Sequence, residues 1–206
     1  MSSIRDKISI MKDAAELLRL EPITSRIAGR VRALRIERRL SLEDLAERSG
    51  VSRSMLSLIE REESSPTAVV LDKIAAGLGV PLALFFEDPA SRDEPLSRSS
   101  DRQPWRDPQT GYLREVLSPS GSTAPFQLVL VTLPAGRTVQ YEATNRARPY
   151  HQQIWVQEGR IEVSSGADVY RLGQGDCLAL DVDGRPNSFS NSSRKRARYV
   201  LVIALK

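Results

Sequence analysis

Up to Phe86 the apolar residues recur every three or four positions. From Gly111 onward they recur every second position, and the two regimes meet across a stretch rich in proline and serine. A helix buries one stripe with a period near 3.6 and a strand buries one face with a period of 2. A chain that changes period once therefore folds as an all-α unit followed by an all-β unit. At 206 residues it is long enough for two small hydrophobic cores.

The α half reads in detail. Over residues 3–20, Ile4, Ile8, Met11, Ala15 and Leu18 form one stripe. Ser3 and Asp6 resemble a capping box and Pro22 stops the run, so residues 1–23 are expected as an N-terminal amphipathic helix. Residues 24–86 are expected to be helical throughout. Ile27, Val31 and Leu34 face inward on a first helix that also carries Arg26, Arg30, Arg32, Arg35, Arg38 and Arg39. Ser41 caps a second helix, Gly50 makes a turn, and Ser52 caps a third with Met55, Leu56 and Ile59. Pro66 is expected in the first turn of a fourth, built on Leu71, Ile74, Ala75 and Leu78. Pro81 opens a last turn ending at Phe85 and Phe86. Residues 87–110 read as a Pro/Ser-rich linker, with Trp105 anchoring it, and 111–206 as the β half.

Composition excludes more than it proposes. Thirty basic against 26 acidic residues gives a net charge of +4, which is compatible with nucleic acid without requiring it. Residues 24–88 balance ten basic against ten acidic groups, so attraction to DNA has to come from their distribution. Cys177 is the sole cysteine and His151 the sole histidine. A disulfide framework and a Cys-cluster zinc site are thereby excluded, and no catalytic unit is expected. Cys177 reads as a buried small hydrophobe. No leader-like or membrane-length apolar run is visible, which suggests a cytoplasmic protein without a membrane partner.

The stretch Ser41–Glu60 carries the strongest signal. Two short helices meet around Gly50, Ala46 allows close approach, Val51 plugs the junction, and Leu56 and Ile59 face inward. The outer face then offers Ser52, Arg53, Ser54, Ser57 and Leu58 to a partner, and a helix of this kind fits the major groove of DNA. In this stretch the sequence resembles the Xre/lambda-repressor-like helix-turn-helix family, in which residues 24–86 would cover five helices. The resemblance implies that residues 52–60 form a recognition helix. Arg53, Ser54 and Leu58 would then be base-facing, with Ser41, Ser52, Ser57 and Arg61 near phosphates. It also implies an Arg35–Glu60 pair and a homodimer on a double-stranded operator. Glu62 and Glu63 would lie near the DNA side and weaken non-specific binding. The same geometry serving only protein contacts is the competing reading.

Across residues 111–206 the segments YHQQIWVQEGRIEV (150–163), LGQGDCLAL (172–180) and PNSFSN (186–191) resemble a cupin, a small jelly-roll barrel. In this alignment the family's metal-ligand positions fall on Arg146, Arg148, Gln152 and Asn187, none of them a good ligand. His151 has the opposite strand parity to Gln152 and is expected at the surface or rim, and Trp155 faces outward by the same rule. No cofactor or metal is expected. The remaining pocket, with Arg146, Arg148, Gln152 and Asn187 as candidate lining and Tyr141, Tyr150 and Phe189 nearby, suits a small effector, and its arginines favour an anionic one. Two alternatives stay open: a barrel whose arginines point outward and which only pairs subunits, and a cupin enzyme carrying a DNA-targeting module.

Overall fold

The computed structural model describes residues 22–86, 95–120, 122, 124–146 and 149–204. The helix expected over residues 3–20 lies outside them. The α half contains α1 (Ile23–Glu37), α2 (Leu42–Ser49), α3 (Arg53–Glu60) and α4 (Ala68–Leu78), followed by a 3₁₀ segment over Leu82–Phe86. Four α-helices stand where five were expected, because the run after Pro81 closes as 3₁₀ turns rather than as a fifth α-helix. Pro66 sits one residue before the cap and not inside the helix. Thr67 takes the cap position, its Oγ1 accepting from the Val70 amide.

The helices pack through the residues that the periodicity selects. Ile27, Val31, Leu45, Leu56, Ile59, Leu71, Ile74 and Phe85 are all nearly inaccessible to solvent. Gly50 ends α2 in the left-handed conformation at φ 66°, which glycine adopts without the usual side-chain clash. Gly77 permits the closest approach in this half. A Cβ there would lie 2.9 Å from the Ser49 Cβ and 3.0 Å from its backbone nitrogen.

The β half is two packed sheets, not the closed barrel expected. One sheet has six strands in the order β1-β2-β3-β10-β5-β8 and the other has four, β4-β9-β6-β7. The strands are β1 (Trp105–Arg106), β2 (Leu113–Val116), β3 (Phe126–Leu133), β4 (Arg137–Tyr141), β5 (Tyr150–Glu158), β6 (Arg160–Ser165), β7 (Asp168–Gly173), β8 (Cys177–Val182), β9 (Asn187–Asn191) and β10 (Ala197–Ala204). All pairings are antiparallel. Inward residues of both sheets, such as Val129, Ile154, Leu201, Val163 and Phe189, share one core. Phe189 stacks on Tyr199 with the ring planes 5° apart.

Strand alternation also corrects one expectation. In β8 the inward positions go to Leu178, Leu180 and Val182, which leaves Cys177 on the outer face, exposed and opposite the exposed Trp155. Cys177 is therefore not a buried hydrophobe. His151 is likewise outside and pairs across strands with Asp181 at 2.5 Å.

The two halves touch along α4 and the 3₁₀ segment. Asp107 reaches across from the β half, its Oδ1 accepting from the Ala68 amide at 2.8 Å in the first turn of α4. A carboxylate at a helix N-terminus meets unsatisfied amides and the positive end of the helix dipole. Trp105, 2% exposed, packs edge-on between Phe86 and Tyr112 at 5.4 and 5.8 Å. The anchoring role expected of it is thus met by specific aromatic partners.

Candidate nucleic-acid interface and interdomain cavity

The sequence shapes the outer face of α3 one cap at a time. Ser41 opens α2 with a full capping box: its Oγ accepts from the Asp44 amide at 3.0 Å while its own amide donates to Asp44 Oδ2 at 2.8 Å. The Ser41 hydroxyl also holds the Asp44 carboxyl below the usual carboxylate range. Ser52 opens α3, its Oγ accepting from the Met55 amide at 3.2 Å and lying 3.2 Å from Ser54 Oγ. Both caps satisfy amides that the first helical turn leaves without partners.

Leu56 and Ile59 bury the inner side of α3. Ser52, Arg53 and Ser54 are exposed, Ser57 and Leu58 are half-buried, and Arg61 is exposed just beyond the helix. Arg53 is not idle: its Nε lies 2.6 Å from Glu43 Oε1, with both side chains 66% exposed. Such a pair is worth little in water and yields readily to a phosphate or a guanine edge. Arg61 contacts Glu63 at 3.1 Å, and Glu62 accepts from Ser25 Oγ. Both glutamates stand exposed beside the end of α3.

The orientation of α3 is fixed from behind. Arg35 Nε and Nη2 donate to the two oxygens of Glu60 at 2.7 and 2.8 Å, and Arg35 Nη1 donates to the Leu40 carbonyl at 2.8 Å. The hydrogen bond to Glu60 holds the guanidinium pKa above its ordinary value. A forked pair of this geometry ties α1 to α3 in one register.

A second feature lies between the halves. A cavity forms where α4 and the 3₁₀ segment close over the inner face of the sheets. Asp72, Leu82 and Ala83 line it from the α half; Arg114, Tyr141, Tyr150, Gln152, Asn187 and Phe189 line it from the β half. Its volume is ≈ 40 Å³, within ≈ 410 Å³ of empty space that includes the open mouth. Arg146 donates to Asp72 at its edge and lies over the Tyr150 ring. Of the expected pocket residues, Tyr141, Gln152, Asn187 and Phe189 are lining residues and Arg146 is adjacent through Asp72. Arg148 lies outside the described residues.

Burial dominates the electrostatics here. It pushes the Asp72 carboxyl up despite the attraction of Arg146 and Arg114, and raises the Tyr150 phenol to about 12. Tyr112, Tyr141 and Tyr199 are raised in the same way. Among the described residues no group of three or more His, Cys, Asp or Glu side chains is placed to hold a metal ion. Sequence reasoning missed Asp72 and Arg114 as lining residues. The period-two pattern around Arg114 was the available signal, since it puts Tyr112 and Arg114 on the same face.

α2, the turn at Gly50 and the capped, outward-facing α3 form a helix-turn-helix, braced by the partly buried Arg35–Glu60 pair. The helix-turn-helix (HTH_3) family model matches residues 31–85. The HTH-type transcriptional regulator SutR of Escherichia coli is 46% identical over 72 residues, which is 35% of this chain and 40% of SutR. The HTH-type transcriptional regulator PuuR of Escherichia coli is 27% identical over 172 residues, 83% of this chain and 90% of PuuR. The crystal structure of an HTH_3 family transcriptional regulator from Vibrio cholerae superposes with a TM-score of 0.72 at 27% identity, covering 89% of this chain and 97% of that one. Among the described residues no helix is long and apolar enough to cross a membrane.

Proposed function

We propose that this protein is a sequence-specific, DNA-binding transcriptional regulator, and that its cupin-like β half senses a small effector. The carrying observation is the outer face of α3. Ser52, Arg53 and Ser54 are exposed together on a helix whose inner face and orientation are locked by Leu56, Ile59 and the Arg35–Glu60 fork. In a major groove, Arg53 and Ser54 reach base edges, whereas Ser41, Ser57 and Arg61 meet the phosphates that set register. The protein acts as a homodimer on paired half-sites. The outer face of the six-stranded sheet, where Trp155 and Phe126 are 49% and 43% exposed, is the surface that pairs the subunits.

We read the chain as a regulator, not an enzyme. The metal-ligand positions of the cupin resemblance carry Arg146, Gln152 and Asn187, which suit recognition better than metal chemistry. Selection from a random duplex library, followed by competition binding at fixed salt, tests the DNA reading. An enriched motif whose affinity and selectivity fall in Arg53→Ala and Ser54→Ala is the expected result. Equal affinity for every duplex overturns it.

A further inference from the structure

Arg114 is the anomaly of the cavity. It projects inward from β2, is 4% exposed, and its guanidinium lies 4.9 Å from the Phe86 ring centroid of the α half. Its Nε and Nη2 are buried and make no hydrogen bond of normal geometry among the described residues, with the Tyr112 hydroxyl as a polar neighbour. Those two N–H groups are the parallel donors of a guanidinium, the edge that accepts a carboxylate in forked geometry. The same protein shows that edge in use, at Arg35 on Glu60. Among the described residues no carboxylate takes the place of Glu60 at Arg114. Asp72 accepts from Arg146. Asp107 spends its oxygens on the Ala68 amide and on the amide and hydroxyl of Thr110. The rim glutamate, Glu142, pairs with Lys73 at 2.9 Å.

We propose that this cavity binds a small molecule through a carboxylate group, with Arg114 as its anchor; the proposal rests on the reading of the β half as an effector domain. A cavity volume of ≈ 40 Å³ holds about three waters, which is the size of one carboxylate, and the rest of the molecule extends through the mouth. Gln152 and Asn187, both lining residues, supply further hydrogen bonds. Asp72, on α4, then sits beside a like charge and competes with the ligand for Arg146. Binding therefore weakens the Arg146–Asp72 contact that joins the two halves, and this is how the effector alters the disposition of the DNA-reading domain.

Acetate, propionate and butyrate are the probes, titrated into the full chain at constant ionic strength with sodium chloride as reference. Trp105 fluorescence in a Trp155→Phe background and thermal melting are the readouts. The expected result is a saturable millimolar response that sodium chloride does not give. Arg114→Met weakens it at least tenfold while melting no lower than the parent without ligand, because it removes a buried unpaired charge. Asp72→Asn tightens it severalfold by removing the like charge. Should Arg114→Met fail to fold, Arg114→Lys, which keeps the charge and loses the fork, must still weaken the response at least fivefold. No saturable response in the parent, or an unchanged affinity in Arg114→Met or Arg114→Lys, overturns the proposal. Parallel DNA binding separates the two readings. Intact DNA recognition without a carboxylate response sinks the ligand alone, and a carboxylate response without DNA recognition sinks the regulator.

Discussion

Removing Arg35 tests whether the α1–α3 fork holds α3 in place. The Arg35 and Glu60 side chains are only 14% and 8% exposed. Arg35→Met strands both Glu60 oxygens and the Leu40 carbonyl, which receives Arg35 Nη1. Losing one member of a buried pair costs about 3–5 kcal/mol, because the other charge stays desolvated without compensation. For a chain of this size about 2–4 °C of melting temperature follows each kcal/mol, so a fall of roughly 6–20 °C is expected. DNA affinity falls with it, since α3 loses its brace. The double variant Arg35→Met/Glu60→Met leaves no orphaned charge and is expected to melt higher than either single variant. Thermal and urea unfolding of all four proteins completes the cycle. Single variants losing less than about 1 kcal/mol, or a double variant equal to the sum of the singles, would refute the claim that burial makes this pair interdependent.

Arg53→Ala and Ser54→Ala should each cost about 1–3 kcal/mol of discrimination at one base position, read as a relaxed motif in competition binding. Ser41→Ala and Ser52→Ala should each lower unfolding free energy by about 1 kcal/mol through a lost cap, measured by urea melts. Gly184→Ala should destabilise the β half by about 1–3 kcal/mol. Its φ is 97° and a Cβ there would lie 2.2 Å from the Thr144 carbonyl oxygen, on the loop leading to Arg146. Alkaline titration followed by phenolate absorbance checks the buried tyrosines. Tyr150, raised to about 12, is harder to ionise folded than unfolded, so its contribution is complete below pH about 10 and is lost as pH rises through about 12. That shift is worth up to about 3 kcal/mol, and Tyr112, Tyr141 and Tyr199 act in the same direction. Ionisation and unfolding should therefore coincide in one cooperative step, and phenolate appearing well before unfolding would contradict it.

What the sequence carried on its own is local. Ser41, Ser52 and Gly50 mark the helix ends because capping and left-handed turns depend on residues within four positions of each other. The inward stripe of Leu56 and Ile59 and the outward parity of His151 and Trp155 follow from fixed periods along one element. The same rule applied to β8 would have placed Cys177 outside, and treating cysteine by its residue type overrode it. Pro66 and the missing fifth helix show the limit at element boundaries, where one residue of shift costs little and the tertiary packing of Phe85 and Phe86 decides. The strands β1, β2, β4, β7 and β9 carry little signal of their own. They are short, or, as in β7, nearly bare of buried residues, and take their conformation from the neighbour they pair with.

Only the folded chain decides what closes the cavity. Asp72 belongs to a helix and Arg114 and Arg146 to the β half, and no period or cap relates them. They meet because α4 packs across the mouth of the two sheets, held by Asp107 on the Ala68 amide and by Trp105 against Phe86. The sequence thus determined a capped helix with a polar outer face, which local chemistry specifies. The charged chamber beneath that domain is the product of long-range packing, since burial and the pairing of distant charges exist only once the halves have docked.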